Sequence, residues 1–325
     1  MLKSIFFIVL GFILLVKGAD FLVEGASNVA KKFHIPEIII GLTIVSVGTS
    51  MPELVVSVTS ALNGHSDIAI GNVIGSNISN LFLILGICSV LKPLAFKKET
   101  RLIENPITLS LTILLFVFAN NGGTEKAHII TQTEGIALLI LCITYIIYNI
   151  IMARKGENFD LENGEKVTKN YLENINILSS IFYIIIGIVG LKFGGDFVVD
   201  ASVSIAKSLG VSEEMISLTI IAISTSLPEL ITSITATRRN ETDMAIGNIL
   251  GSQIFNILLI IGTSATLCPI NYSVGYNKYM LVLIMGTIML SLYPFIGTKN
   301  KMTRSNGIPF VFIYALYMTS LVIFR

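Results

Sequence analysis

Gly41–Glu53 reads GLTIVSVGTSMPE and Ser217–Glu229 reads SLTIIAISTSLPE, with seven of thirteen positions identical. Each copy lies inside an apolar run long enough to cross a bilayer, and each carries a carboxylate and a proline at membrane depth. A carboxylate there costs about 2.5–3.5 kcal/mol on the insertion scale, so two of them need a partner or a use. Pro52 and Pro228 have no N–H, and in a continuous helix their rings would crowd the carbonyls of Gly48 and Ser224. Each helix is therefore expected to break and to free main-chain carbonyls beside Glu53 and Glu229. Broken helices with exposed carbonyls at the midplane are how many secondary transporters bind cations.

The duplication extends well beyond this stretch. A constant offset of 176 holds without a gap from Gly11 to Gly86, pairing Gly18 with Gly194, Asp20 with Asp196, Thr49-Ser50 with Thr225-Ser226, and Asn80 with Asn256. A gapless match of this length marks an internal repeat. The apolar segments number ten, at roughly 2–22, 36–62, 67–91, 102–119, 133–152, 176–199, 212–237, 243–268, 279–296 and 307–324. Each half then has five spans, an odd number, so the second copy enters the membrane from the opposite side. The expected fold is all-α: ten transmembrane helices in two inverted five-helix repeats with broken core helices. The first repeat covers 1–152, the second 176–325, and a charged linker of 153–175 joins them.

Composition agrees with a polytopic membrane protein: 325 residues, 53% hydrophobic and only 13% charged, with a mean hydropathy of +0.80. The net charge of +1 identifies no partner, but its distribution is informative. Fifteen of the 22 Lys and Arg lie in the loops after spans 1, 3, 5, 7 and 9. The positive-inside rule then puts those loops in the cytoplasm and both termini outside a cell membrane. Lys3 before an apolar run that ends near Gly18-Ala19 resembles a signal peptide, but the repeat assigns this helix to the fold. Cys88, Cys142 and Cys268 all fall in apolar segments, and the three histidines have no metal-site spacing. Nothing reads as a nucleic-acid module.

On a helix, Thr49, Ser50 and Glu53 stand at i, i+1 and i+4 and share one face; Thr225, Ser226 and Glu229 repeat the arrangement. The next helix of each half reads G-N-x-x-G-S-x-x-x-N, placing Ser76 one turn from Asn80 and Ser252 one turn from Asn256. Its paired glycines allow close helix approach. Every side-chain donor here ends in oxygen, which selects hard cations, and two carboxylates suit a divalent one. Two bidentate glutamates and two freed carbonyls near Thr49 and Thr225 give six oxygens, within the calcium range; magnesium, which keeps its water shell, fits less well. Asp67 and Asp243 read as helix N-caps, and Asp20 and Asp196 as structural residues at segment ends. The Gly194-Gly195-Asp196 triplet has no second intramembrane aspartate to form a protease dyad. No catalytic residue and no cofactor are expected.

GTSMPE, STSLPE, GNVIGSNISN and GNILGSQIFN resemble the α-repeat signatures of the sodium/calcium exchanger family, and the ten-span layout is similar over essentially the whole chain. The resemblance implies that spans 2, 3, 7 and 8 form a core around the ions, while spans 1 and 6 slide across it. It implies that calcium and sodium share Glu53 and Glu229, and that the carbonyls of Thr49 and Thr225 bind calcium. Ser50, Ser76, Ser226 and Ser252, with the carbonyls of Ser46 and Ala222, would form sodium sites, and Asn80 and Asn256 would complete the centre. Two positions depart from the pattern: Asn256 stands where several prokaryotic members carry aspartate, and Ser224 replaces the usual glycine. The implied function is antiport of three sodium ions for one calcium by alternating access, with calcium, sodium and the bilayer as partners and no obligate protein partner evident. The alternatives are a proton- or potassium-coupled cation exchanger on the same scaffold, and a passive cation channel.

Overall fold

A computed structural model of the chain describes residues 2–121, 128–163, 176–210, 224–293 and 300–323. The helices are α1 (Leu2–Lys32), α2 (Glu37–Thr49), α3 (Met51–Leu62), α4 (Ser66–Leu91), α5 (Thr100–Ala119), α6 (Gln132–Asn163), α7 (Ile177–Ser208), α8 (Leu227–Arg238), α9 (Thr242–Leu267), α10 (Val274–Leu292) and α11 (Arg304–Ile323). Among the described residues, seven are long and apolar enough to cross a membrane, and α2 with α3 adds an eighth span if counted as one bent helix. The chain is a polytopic helical protein. Three segment ends differ from expectation. Helix α1 runs ten residues past the expected end at 22, to Lys32, α7 runs past 199 to Ser208, and α6 continues to Asn163, so the linker begins as helix. In all three, polar residues extend a helix that an apolarity criterion cuts short. The seventh expected span, 212–237, is described only from Ser224 onward.

The chain divides into two compact units, each drawing on both repeats. One comprises Met1–Thr49, Tyr145–Gly251 and Leu321–Arg325; the other comprises Ser50–Thr144 and Ser252–Ser320. In the first, α1 and α7 lie antiparallel along a seam of small residues. A Cβ on Gly11 would stand 2.7 Å from the Gly194 carbonyl, one on Gly18 2.9 Å from the Gly187 carbonyl, and one on Gly25 2.6 Å from the Ser180 carbonyl. Glycine every seventh residue lets the two backbones touch, since a methyl group would have to enter main-chain atoms. Leu15, Ala19, Leu22, Val23 and Ala26 fill the core behind the seam. Helix α2 packs in the same way on the start of α9, with Gly41, Gly247 and Gly251 facing backbone.

In the second unit, α3 to α5 pack with α10, α11 and the latter part of α9. Two short antiparallel ladders tie its loops: β1 (Leu94–Ala95) pairs with β4 (Lys301–Met302), and β2 (Ile129–Ile130) pairs with β3 (Ile270–Asn271). The buried share of the most apolar window is 78% in α4 and 94% in α9, against 22% in α6 and 28% in α1, α7 and α10. Helices α4 and α9 are therefore interior elements. Helix α6 instead turns Ile136, Ile140, Ile143, Ile147 and Ile150 outward at three- and four-residue spacing, as a lipid-facing stripe requires.

The repeat is also visible in the backbone. His34 (φ 53°) and Gly210 (φ 78°), and Gly64 (φ 80°) and Asn240 (φ 70°), adopt left-handed conformations at the 176-residue offset. Widened π-helical turns recur at Ser79–Ile84 and Asn256–Ile261.

Candidate ion-binding site

The predicted break is present: α2 and α3 meet at Ser50 with a bend of 48°. Ser50 caps α3 with φ −85° and ψ 7°, and Ser226 caps α8 with φ −86° and ψ 2°. Because the new helix starts immediately after the serine, each proline falls in its first turn. A first-turn N–H has no partner inside the helix, so proline is tolerated there and favours a start. The glutamate is then the third residue of its helix, where aligned peptide dipoles leave about +0.5 charge and favour an anion. Ser-x-Pro-Glu also has the spacing of a capping box, yet neither serine hydroxyl caps its helix. The Ser226 hydroxyl is buried without a hydrogen-bond partner among the described residues.

Every described candidate is buried. Glu53 and Glu229 are each 1% exposed, Ser46, Thr49 and Ser252 0%, Ser76, Asn80 and Asn256 1%, Ser226 3%, Ser50 4% and Thr225 7%. Ala222 lies outside the described residues. The units share these residues: Ser46, Thr49, Thr225, Ser226 and Glu229 belong to the first, and Ser50, Glu53, Ser76, Asn80, Ser252 and Asn256 to the second.

In the second unit, Asn80 and Asn256 fall in the two π-helical turns, a geometry often found at functional sites. The Asn256 Nδ2 donates to Asn77 Oδ1 at 2.9 Å, and the Asn77 Nδ2 donates to the Gln253 carbonyl at 3.3 Å. Among the oxygens left over are Asn80 Oδ1, Asn256 Oδ1 and the Ser252 hydroxyl, buried and without a hydrogen-bond partner among the described residues. Buried acceptors of this kind are costly unless something supplies positive charge. In the first unit, the Ser46 hydroxyl donates to the Thr43 carbonyl at 3.2 Å, and the Thr49 hydroxyl lies 3.3 Å from the Ser46 carbonyl. Ser46 therefore holds its own turn in shape.

Two sequence readings change. Asp67 lies inside the first turn of α4, whose cap is His65, and Asp243 lies one residue inside α9, so neither is an N-cap. Asp20 and Asp196 do not lie at segment ends, because α1 and α7 run on to Lys32 and Ser208; Asp20 pairs with Arg239 at 3.2 Å and Asp196 with Lys192 at 2.9 Å. Sequence reasoning gave no role to Asn72, Asn248, Ser57 and Ser233. In the structure Asn72 Nδ2 donates to Ser57 Oγ at 3.0 Å, and Asn248 Nδ2 donates to Ser233 Oγ at 2.9 Å. The signal was available, since all four recur at the same offset as the glutamates.

The family model described as sodium/calcium exchanger protein matches residues 3–152 and 179–323. The inner membrane protein YrbG of Escherichia coli is 32% identical over 298 residues, covering 89% of each chain. The sodium/calcium exchanger MaX1 of Methanosarcina acetivorans is 30% identical over 343 residues, covering 97% of each. Among solved structures, the sodium-calcium exchanger NCX_Mj, soaked with sodium and calcium, superposes with a TM-score of 0.82 at 30% identity, covering 100% of this chain and 99% of that one.

Proposed function

This chain belongs to the sodium/calcium exchanger family, and from that premise we propose that it drives calcium across the membrane against sodium by alternating access. The observation that carries the reading is the burial of Glu53 and Glu229, each 1% exposed at the start of its own helix in a polytopic helical protein. Two anionic oxygen donors held away from water suit a divalent cation that has lost its hydration shell.

In this reading Glu53 and Glu229 bind calcium with the carbonyls of Thr49 and Thr225, and sodium in its absence. Ser46, Ser50, Ser76, Ala222, Ser226 and Ser252 complete the sodium sites, while Asn80 and Asn256 supply neutral oxygens at the centre. The ten spans form two inverted repeats with both termini outside. With two carboxylates and neutral asparagines, one calcium balances the charge and three sodium ions leave +1. Each cycle then moves one net charge, worth about 2.3 kcal/mol per 100 mV, and an inside-negative potential favours calcium extrusion.

The test is radioactive calcium uptake into proteoliposomes loaded with sodium, potassium or neither, with valinomycin and potassium setting the voltage at several pH values. Uptake is expected only with outward sodium, and faster when the inside is positive. Uptake driven by protons or potassium would replace the coupling ion. Flux without any counter-ion gradient would make the protein a channel, and flux indifferent to voltage would exclude three sodium ions.

A further inference from the structure

We infer that Asn72 and Asn248 are positioning residues that each fix how one glutamate-bearing helix presents its carboxylate, without touching the ion; this rests on the exchanger reading above. The argument starts with hydrogen-bond chemistry. A carboxamide has donors on one atom and an acceptor on the other, so it can join two groups in a fixed order. In the second unit, Asn72 Nδ2 reaches Ser57 Oγ at 3.0 Å and the Glu53 carbonyl at 3.4 Å. In the first, Asn248 Nδ2 reaches Ser233 Oγ at 2.9 Å and the Glu229 carbonyl at 3.5 Å. The same contact has formed twice, 176 residues apart, once in each unit.

The glutamate carbonyl fixes which way the amide faces. With the amide turned over, Oδ1 would point at a carbonyl oxygen, two acceptors with no proton between them, so the nitrogen must face it. The two anchor points on each helix are the glutamate itself and the serine one turn later. Two points one turn apart fix both the depth and the rotation of the helix, and hence where the carboxylate emerges.

Asn248 does more. Its Oδ1 accepts from the Thr49 hydroxyl at 3.2 Å, and the residue is 1% exposed. One side chain thus joins the last residue of α2 to the first turn of α8. Thr49 is the residue whose carbonyl is proposed to bind calcium, and Glu229 is a proposed carboxylate ligand. Their separation within this unit is set by the length of an asparagine. Aspartate would keep the bond from Thr49 and lose both donations; serine is too short, and glutamine is a methylene too long.

The competing explanation is that these asparagines only glue helices together, as polar residues in membrane helices commonly do. The two roles differ in ion-size selectivity. Loosening a ligand set lets a larger cation fit better relative to calcium, whereas loosening the packing weakens both ions alike. The experiment measures calcium and strontium binding to purified Asn248→Ala and Asn72→Ala in detergent, by equilibrium dialysis, beside sodium-driven uptake in proteoliposomes. The expected result is calcium half-saturation raised about 3- to 15-fold, the scale of one or two buried hydrogen bonds. Strontium should be affected less, so the calcium-to-strontium ratio falls. Asn277→Ala, which breaks the paired asparagines Asn120 and Asn277 elsewhere in the second unit, should leave that ratio unchanged. If Asn248→Ala does not fold, Ser233→Ala removes one acceptor and should move the ratio in the same direction. An unchanged ratio, whether both ions weaken equally or only thermal stability falls, overturns the inference. Wild-type protein that binds calcium but shows no sodium-driven uptake would sink the exchanger reading instead, while the binding ratio still decides the role of the asparagines.

Discussion

Helices α3 and α8 are the same device built twice, and they differ at one end. Their N-terminal halves agree in a capping serine with nearly equal dihedrals, a first-turn proline, a buried glutamate at the third position and a serine held by an asparagine. Their far ends diverge. Helix α3 exposes Val55 and Leu62 and leaves through Asn63-Gly64-His65. Helix α8 buries Thr232 where α3 has the half-buried Val56, and leaves through Arg239-Asn240-Glu241, whose charges are tied to α1. Arg239 pairs with Asp20 and Glu24 at 3.2 and 3.3 Å, and Glu241 accepts from Ser27 at 2.9 Å and Lys31 at 3.0 Å. The end proposed to bind ions has the same geometry in both copies, while the other end carries a tether in one copy. A shared chemical task constrains a few residues around a helix start, not a whole helix.

The sharpest way to break the comparison is to neutralise each glutamate. Glu53→Gln and Glu229→Gln should each reduce calcium uptake at least about 100-fold, since losing one charge of a buried ionic set costs on the order of 3–5 kcal/mol. If one variant keeps near-normal exchange, the two helices are not functional equivalents and that glutamate leaves the site.

A second test acts on the centre. Asn256 is neutral and donates to Asn77, so a carboxyl group there needs a proton to keep that bond. Asn256→Asp should therefore lose calcium uptake as pH is lowered from 8 to 6 by several-fold more than wild type, and Asn80→Asp provides the comparison in the first copy. Equal pH profiles for wild type and Asn256→Asp would show that the position does not face the ions.

Removing the prolines should have a smaller effect. Pro52→Ala and Pro228→Ala free no hydrogen bond, because a first-turn N–H is unpaired in a helix. They remove only the preset dihedral that favours a start, worth about 0.4–1 kcal/mol. Calcium half-saturation should rise about 2- to 5-fold in each, and an unaltered affinity would assign the break to the serine cap alone.

The smallest expected effect is at the tether. Burial alone would push the Glu241 carboxyl up, but its hydrogen bonds with Glu37, Lys31 and Ser27 outweigh this and hold it below its ordinary value. A carboxyl lowered by folding contributes stability above its unfolded value, and the contribution is lost as pH falls through the folded one. Glu241→Gln should cost about 0.5–1 kcal/mol at pH 7 and less at an acid pH below the lowered value of this carboxyl, read as thermal unfolding in detergent. A loss that is the same at both pH values would mean that packing, not charge, holds α8 to α1.

Much of this was legible in the sequence because it depends on local rules. A proline favours a helix start at its own position, and apolar runs declare spans without reference to neighbours. The offset of 176 carried these rules from one half to the other. What the sequence hid depends on partners brought together by folding. Asn72 and Asn248 were in plain view, but their acceptors lie 15 residues away on another helix. The continuation of α1 to Lys32 was hidden because the stabilising groups, Glu241 on Lys31 and Ser27, come from more than 200 residues downstream. Nor could periodicity show that each compact unit draws on both repeats, with boundaries at Thr49 and Gly251.

The glycine seam between α1 and α7 has a consequence in time. The surface that Gly18 presents is completed by Gly187 and Leu191, which the ribosome adds some 170 residues later. At about 5–20 residues per second, α1 waits roughly 10–35 seconds with its small-residue stripe uncovered. During that interval the stripe is a bare docking track, open to any other helix with a matching row of small residues. Helix α1 is thus secured only after five further helices have been made and α7 has followed, and the glycines that permit close packing in the finished protein are an exposure while it is being built.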